Sequence, residues 1–364
     1  MGSILNFVFP ENPELKQGPI VNYIQSNYSY TDNFELRDGY KNIIVIETVG
    51  DSEHNEHFLN IIEFLKKIKC KVLICFIADP VNDKKLSKII KLLDGIDYKI
   101  LSSNISSKYS DVISFDYFME ESTWDMYNHF FSNNINDLGY KSKDININEL
   151  DNFRNYKFLS FNRNMQKPHR LGLFFLYLLE LHKESLCSFL FFDGETPPIY
   201  TPNDYVEGWE SKLPIELDTV GNLTNFRVSD TLKKELFLDT CIHIVTETSF
   251  NENELFLSEK ILKPILMYQP FIVLSSHGYL KRLKGYGFKT FSDFWDESYD
   301  EIENPRKRYK KVRELILSLN EMSIEEMNKL YQKTKEICIF NRNLHQSMYI
   351  DSIPNILEEI ENEW

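Results

Sequence analysis

The tightest constraint on this chain is the regular return of short, apolar, β-branched runs separated by stretches with helical spacing. Ile4–Phe9, Asn42–Val49, Lys71–Ala78, Tyr98–Ser102 and Val112–Phe115 read as strands, with helices over Phe58–Ile68 and near Lys84–Leu93. The pattern restarts after the polar stretch Asn133–Asn152. Strands are expected at Tyr156–Phe161, Ser188–Phe192, His243–Ser249, Phe271–Leu274 and Phe288–Phe291. Helices are expected over Pro168–Lys183, Asp230–Asp239, from a cap at Ser258, and over Tyr279–Lys284. Three more close the chain, over Tyr299–Asn320, Ile324–Phe340 and His345–Glu361. Strands that alternate with helices cannot be joined by tight hairpins, so the sheets must be parallel and covered on both faces.

With 364 residues the chain is long enough for two cores. The expectation is an α/β protein of two Rossmann-like doubly wound domains with a cleft between them. Residues 1–150 form an N-terminal domain and residues 151–340 a C-terminal one. Residues 341–364 form a C-terminal helix that packs back on the N-terminal domain. Ligands of such sheets bind beyond the carboxyl ends of the strands. The loops Gly50–His57 and Asp79–Asp83, and the long irregular segment Asp193–Asp218 with its four prolines, are therefore the loops to watch.

Charge narrows the partners. The net charge of −14 repels a phosphate backbone over any broad surface, so no nucleic-acid partner is expected, although a small basic pocket remains compatible. Two helix starts carry such a pocket's residues. Asn162-Arg163-Asn164-Met165-Gln166-Lys167-Pro168-His169-Arg170 follows one strand, and Ser258-Glu259-Lys260-Ile261-Leu262-Lys263 follows another. Cations in a first turn oppose the helix dipole unless an anion lies over that turn. The bland alternative is that the lysines simply point into water. No Gly-rich fingerprint is present, and no His, Cys or carboxylate spacing suggests a metal or another cofactor. The five cysteines form no CxxC pair and read as buried thiols. No run is long and apolar enough for a membrane span, and the first residues lack the features of a secretion signal, so a cytoplasmic location is expected.

These motifs, in order, resemble those of the α-1,3-fucosyltransferases. Val245-Thr246-Glu247-Thr248-Ser249, Phe256-Leu257-Ser258-Glu259-Lys260 and Pro270–Ser276 match that family's donor-site signature. Ser160-Phe161-Asn162 followed by Arg170 matches its strand and helix-opening arginine, and Phe115-Asp116-Tyr117 matches a tripeptide before the linker of some bacterial members. The resemblance covers most of the C-terminal half and is faint elsewhere. Thr246 and Thr248 depart from the family's residues on either side of Glu247, Phe256 lacks the family's tyrosine hydroxyl, and Lys263-Pro264 breaks into the helix.

The resemblance implies a GT-B fold and an inverting, metal-independent glycosyltransferase that moves a sugar, foremost fucose from GDP-fucose, to a glycan hydroxyl. It implies that Arg170 and Lys260 bind the donor diphosphate, that Glu259 holds the ribose hydroxyls, and that Glu247 lies near the sugar ring. It implies a carboxylate base in the N-terminal domain, for which Asp79 is the best match and Glu53, His54 and Glu56 are rivals. Asn162, Arg163, Ser249 and Lys263 complete the expected donor site. A donor with a UDP or dTDP carrier, or a non-catalytic nucleotide-sugar or glycan-binding module, are the alternatives.

Overall fold

The computed structural model describes residues 5–10, 24–25, 28–32, 35–38, 40–48, 56–68, 70–76, 83–102, 109–114, 145–192, 195–217, 233–250, 255–348, 357–358, 360 and 362. Among them the chain is mixed α/β, with two parallel sheets and eight α-helices. It divides into two compact units: Met1–Asp125 together with Tyr349–Trp364, and Met126–Met348.

The first unit holds a sheet ordered β2-β1-β3-β4-β5-β6. Its strands are β1 (Leu5–Val8), β2 (Tyr30–Thr31), β3 (Lys41–Thr48), β4 (Lys71–Phe76), β5 (Asp97–Ser102) and β6 (Val112–Ser114). Helix α1 (Glu56–Leu65) links β3 to β4, and α2 (Asp83–Leu92) links β4 to β5. The two-residue pleat divides the core into two layers. Ile44, Ile46, Val72, Ile74 and Ile100 pack on Phe58 and Ile62 of α1 and Leu86 and Ile89 of α2. Ile43, Val45, Leu73, Cys75 and Leu101 face the other way, onto Phe7, Phe9 and Ile24 and onto Leu357 and Ile360 near the end of the chain. Each fully buried aliphatic side chain contributes about 1.5–3 kcal/mol, so neither layer is dispensable.

The second unit opens with a short 3₁₀ turn, Ile147–Asp151, whose Asn146 cap and Glu149 form a reciprocal capping box. The rest of the expected linker, residues 133–144, lies outside the described residues. The sheet is ordered β10-β9-β7-β8 and is wholly parallel. Its strands are β7 (Tyr156–Asn164), β8 (Ser185–Phe191), β9 (Thr240–Thr246) and β10 (Phe271–Leu274). Helix α3 (Pro168–Leu176) follows β7, α4 (Lys234–Leu238) precedes β9, α5 (Glu259–Leu266) joins β9 to β10, and α6 (Tyr279–Gly285) follows β10. The long helices α7 (Pro305–Asn320) and α8 (Ile324–Met348) end the unit. Helix α7 packs on α3 and β10, while α8 packs on α5, β7 and β9.

Four expectations need correction. Strand β7 does not stop at Phe161 but runs on through Asn162, Arg163 and Asn164, where Asn164 pairs with Phe191 of β8. Phe288–Phe291 is not a strand: Lys289 donates its N–H to Asn341 Oδ1 and accepts from Asn341 Nδ2, each at 2.8 Å, so a side chain does the pairing of a neighbouring strand. Helix α8 continues to Met348 without the break expected at Phe340. As for Pro264, it sits inside α5 without delaying that helix, which starts at Glu259 on the Ser258 cap.

Helices α3 and α7 approach closely at Gly172. A Cβ there would lie 2.5 Å from the Tyr309 hydroxyl oxygen and 2.6 Å from its Cζ, and that ring is buried. Gly172→Ala is expected to destabilise the protein by about 1–3 kcal/mol, as overpacked cores do. Tyr309→Phe removes a buried hydroxyl that has no hydrogen-bond partner, so it should stay within about 0.5 kcal/mol of the parent. Denaturant midpoints of the two variants check both; equal stabilities would contradict the close packing.

Candidate anion site at the β7–β9 switch point

The strand order fixes where this sheet can hold a ligand. From β7 the chain moves to β8 on one side, then returns to β9 on the other. The carboxyl ends of β7 and β9 are therefore the topological switch point, where connections leave in opposite directions and open a crevice. Helix α3 leaves from one end and α5 from nearby on the other.

Arg170, in the first turn of α3, spans this point. Its Nη1 donates to Asn164 O of β7 at 3.4 Å, and its Nη2 to Thr246 O and Glu247 O at 3.5 and 3.2 Å. These are long bonds to neutral acceptors, and the Nε–H is buried with no partner. Burial draws the Arg170 pKa down, while the Glu247 and Glu259 carboxylates oppose the shift. Helix α3 has Pro168 at its start and Lys167 at its N-cap without a side-chain cap bond.

Lys260 reaches the neighbouring Thr248 side chain from α5. Its Nζ lies 3.3 Å from Thr248 Oγ1, 3.1 Å from Ser258 Oγ and 3.0 Å from Glu259 Oε1. Burial would raise the Glu259 pKa, but the ammonium groups of Lys260 and Lys263 outweigh it and hold this carboxyl below its ordinary value. The structure thus brings Arg170, Lys260 and Glu259 to one place, around residues 246–248.

Other predicted residues are placed differently. Asn162 is buried; its Oδ1 accepts from Thr246 Oγ1 at 2.6 Å and its Nδ2 donates to Ser160 Oγ at 3.0 Å, so its amide ties β7 to β9. Ser249 is buried, with its carbonyl accepting from Ser275 Oγ at 3.4 Å. Lys263 is farther along α5, with its Nζ 5.0 Å from the centre of the Phe161 ring. Arg163 is partly exposed, two residues beyond Phe161 on β7 and so on the same face of the sheet. Asp79, in the other unit, lies outside the described residues.

Glu247 is fully buried and its carboxylate is occupied by protein donors. Oε1 accepts from Tyr279 Oη at 2.6 Å and from Ser258 N at 3.2 Å, while Oε2 accepts from Ser258 Oγ. It joins the end of β9 to the cap of α5 and the first turn of α6. Glu247→Ala removes the acceptor of all three donors and is expected to cost about 3 kcal/mol, whereas Glu247→Gln keeps an oxygen for Tyr279 Oη and Ser258 N, makes the Ser258 hydroxyl an acceptor of its amide N–H, and should cost under about 1.5. Thermal melts of the two variants check this; an Ala variant as stable as the parent would refute the tie.

Two residues that sequence reasoning passed over shape this site. His169 is fully buried; burial first, and then neighbouring Arg170, hold its pKa well below the imidazole range, so it is neutral. Arg308 is buried and donates to Ser275 O at 2.8 Å, Ile302 O at 2.6 Å, Glu303 O at 3.0 Å and Phe250 O. The signal was present: Arg308, Val312, Ile316 and Leu319 recur at helical spacing, and all are buried.

No family model matches this sequence, and no curated protein matches it. The chain is similar in structure to the N-terminal domain of the trehalose-6-phosphate phosphatase of Candida albicans, at 14% identity and a TM-score of 0.41, over 93% of this chain and 72% of that one. It is also similar to the wall teichoic acid polymerase TagF, at 13% identity and a TM-score of 0.29, over 94% and 88% of the two chains. At these values neither likeness bears on function, and the fucosyltransferase resemblance rests on its motifs alone. Among the described residues no helix is long and apolar enough to cross a membrane.

Proposed function

We propose that the second unit binds the diphosphate of a nucleotide sugar at the β7–β9 switch point, and that the protein is an inverting glycosyltransferase of the GT-B type. The observation that carries this reading is Arg170: a partly buried guanidinium at the switch point, held only by long bonds to neutral carbonyls, with Lys260 on the hydroxyl of the adjoining Thr248. Such a pair can exchange weak contacts for charge-assisted bonds to phosphate oxygens, and can take up the charge that develops on a leaving diphosphate. Within this reading Glu259 is placed for ribose hydroxyls, the first unit supplies the acceptor side, and Asp79 is the proposed base that accepts the glycan hydroxyl's proton. Glu247 acts on the site from beneath, through its bonds to Ser258 and Tyr279. The motif resemblance makes GDP-fucose the first donor to test.

A thermal-shift screen with GDP, UDP, dTDP and CDP and their sugars tests the reading. Stabilisation by one nucleoside diphosphate, larger than that by its nucleoside, is the expected result. A dTDP or UDP preference would replace fucose but keep the diphosphate site. Silence from all four would overturn the site. Hydrolysis of the bound donor separates an enzyme from a non-catalytic binding module, a second reading favoured by the internal engagement of the Glu247 carboxylate.

A further inference from the structure

The Glu247 carbonyl receives two donors. Arg170 Nη2 approaches at 3.2 Å, and the imidazole Nε2 of the preceding residue, His169, at 2.8 Å. Since His169 is neutral and a carbonyl only accepts, the proton sits on Nε2 and the imidazole is the donor. The ring is fully buried and stacked on Phe250, with centroids 4.6 Å apart and planes 10° from parallel. Phe250 is itself fixed, because the Arg308 guanidinium lies 4.6 Å from its ring and donates to its carbonyl. The segment 247–250 between β9 and α5 is thus held at both ends, by His169 at Glu247 and by Arg308 at Phe250.

We infer that His169 is a positioning residue of the diphosphate site: it occupies the Glu247 carbonyl with the shorter bond, so that Arg170 holds only a weak share of that acceptor and keeps its guanidinium disposed toward an anion. This rests on the reading of the switch point as a diphosphate site. Hydrogen-bond competition at one acceptor gives the reason. A carbonyl already satisfied at 2.8 Å offers a second donor less, whereas one left to Arg170 alone would draw the guanidinium onto the protein.

The test uses the full chain and inorganic pyrophosphate, titrated by calorimetry. His169→Phe keeps a ring over Phe250 and removes the donor; it is expected to weaken pyrophosphate binding about tenfold, the equivalent of ~1.4 kcal/mol. His169→Gln places an amide N–H near the former Nε2 and should bind within about threefold of the parent, while His169→Asn, whose amide falls short of Glu247 O, should bind like the Phe variant. This donor-specific order is one that a merely packing role would not produce, since packing favours Phe over Gln. If the Phe variant does not fold, the Gln and Asn pair decides alone. Equal affinities across the variants, or a Phe variant tighter than the Gln variant, would overturn the inference and leave the site standing. A parent protein that does not bind pyrophosphate would remove the site and this inference together.

Discussion

Arg170→Ala is expected to lower sugar transfer by about 10²–10³-fold, the cost of removing one preorganised cation from a developing anion. The fold should barely register the change. The side chain gives up bonds of 3.2–3.5 Å to three backbone carbonyls, and geometry that poor is worth under about 1 kcal/mol in all. Arg170→Lys should recover charge without the planar fork, and so only part of the activity. Steady-state kinetics with the donor found in the nucleotide screen, beside a thermal melt, measures both effects. An Ala variant with parental turnover and parental nucleotide affinity would refute the assignment of this residue.

The second large effect is acid sensitivity. His169, His243 and His345 all lie in the second unit and are buried. Burial, followed by the charge of Lys263, lowers the His243 pKa to about 3; burial, followed by Arg342, lowers that of His345 to about 3. His169 is held well below its ordinary value for the reasons given above. In the unfolded chain each takes a proton near its ordinary pKa of about 6.5. The folded state does not, so acid favours unfolding: stability is complete above pH ~6.5 and falls as the pH drops below it. His243 and His345 each lose about 1.4 kcal/mol by one unit below that value, about 3 together, and His169 acts in the same direction; this is a large part of the 5–15 kcal/mol that holds a typical domain folded. Glu297 and Asp300 act in the opposite direction, because burial raises their pKa values, but their relief comes only near the carboxylate range. Urea midpoints at pH 7.5 and 5.5 measure the loss, and unchanged midpoints would contradict it.

The order of elements was legible because β-branched runs and helical spacing report burial directly. Phe271–Leu274 is buried throughout and stood out as a continuous apolar run, whereas the strand before it, buried from Thr240 to Thr246, was expected three residues late, at His243–Ser249. What sequence could not show was pairing by polar groups. Asn162-Arg163-Asn164 resembles a loop, yet Asn162 is held between two strands by side-chain bonds to Ser160 and Thr246. Asn341 resembles a helix break, yet its amide serves the Lys289 backbone. The candidate site was legible in its cations, since Arg170 and Lys260 lie at helix starts that carry the wrong charge for the dipole. It was not legible in its scaffold: the roles of His169, Tyr279 and Arg308 depend on contacts to residues 32 to 78 positions away.

The first unit is discontinuous, since Leu357 and Ile360 fill one layer of a core otherwise drawn from residues before Asp125. A ribosome delivers those two side chains only after the entire second unit has emerged. Vectorial synthesis therefore reverses the usual order, and the amino-terminal body waits, its apolar layer incomplete, while the later one can already fold. A chain truncated after Met348 should accordingly show a protease-resistant second unit beside a digestible first.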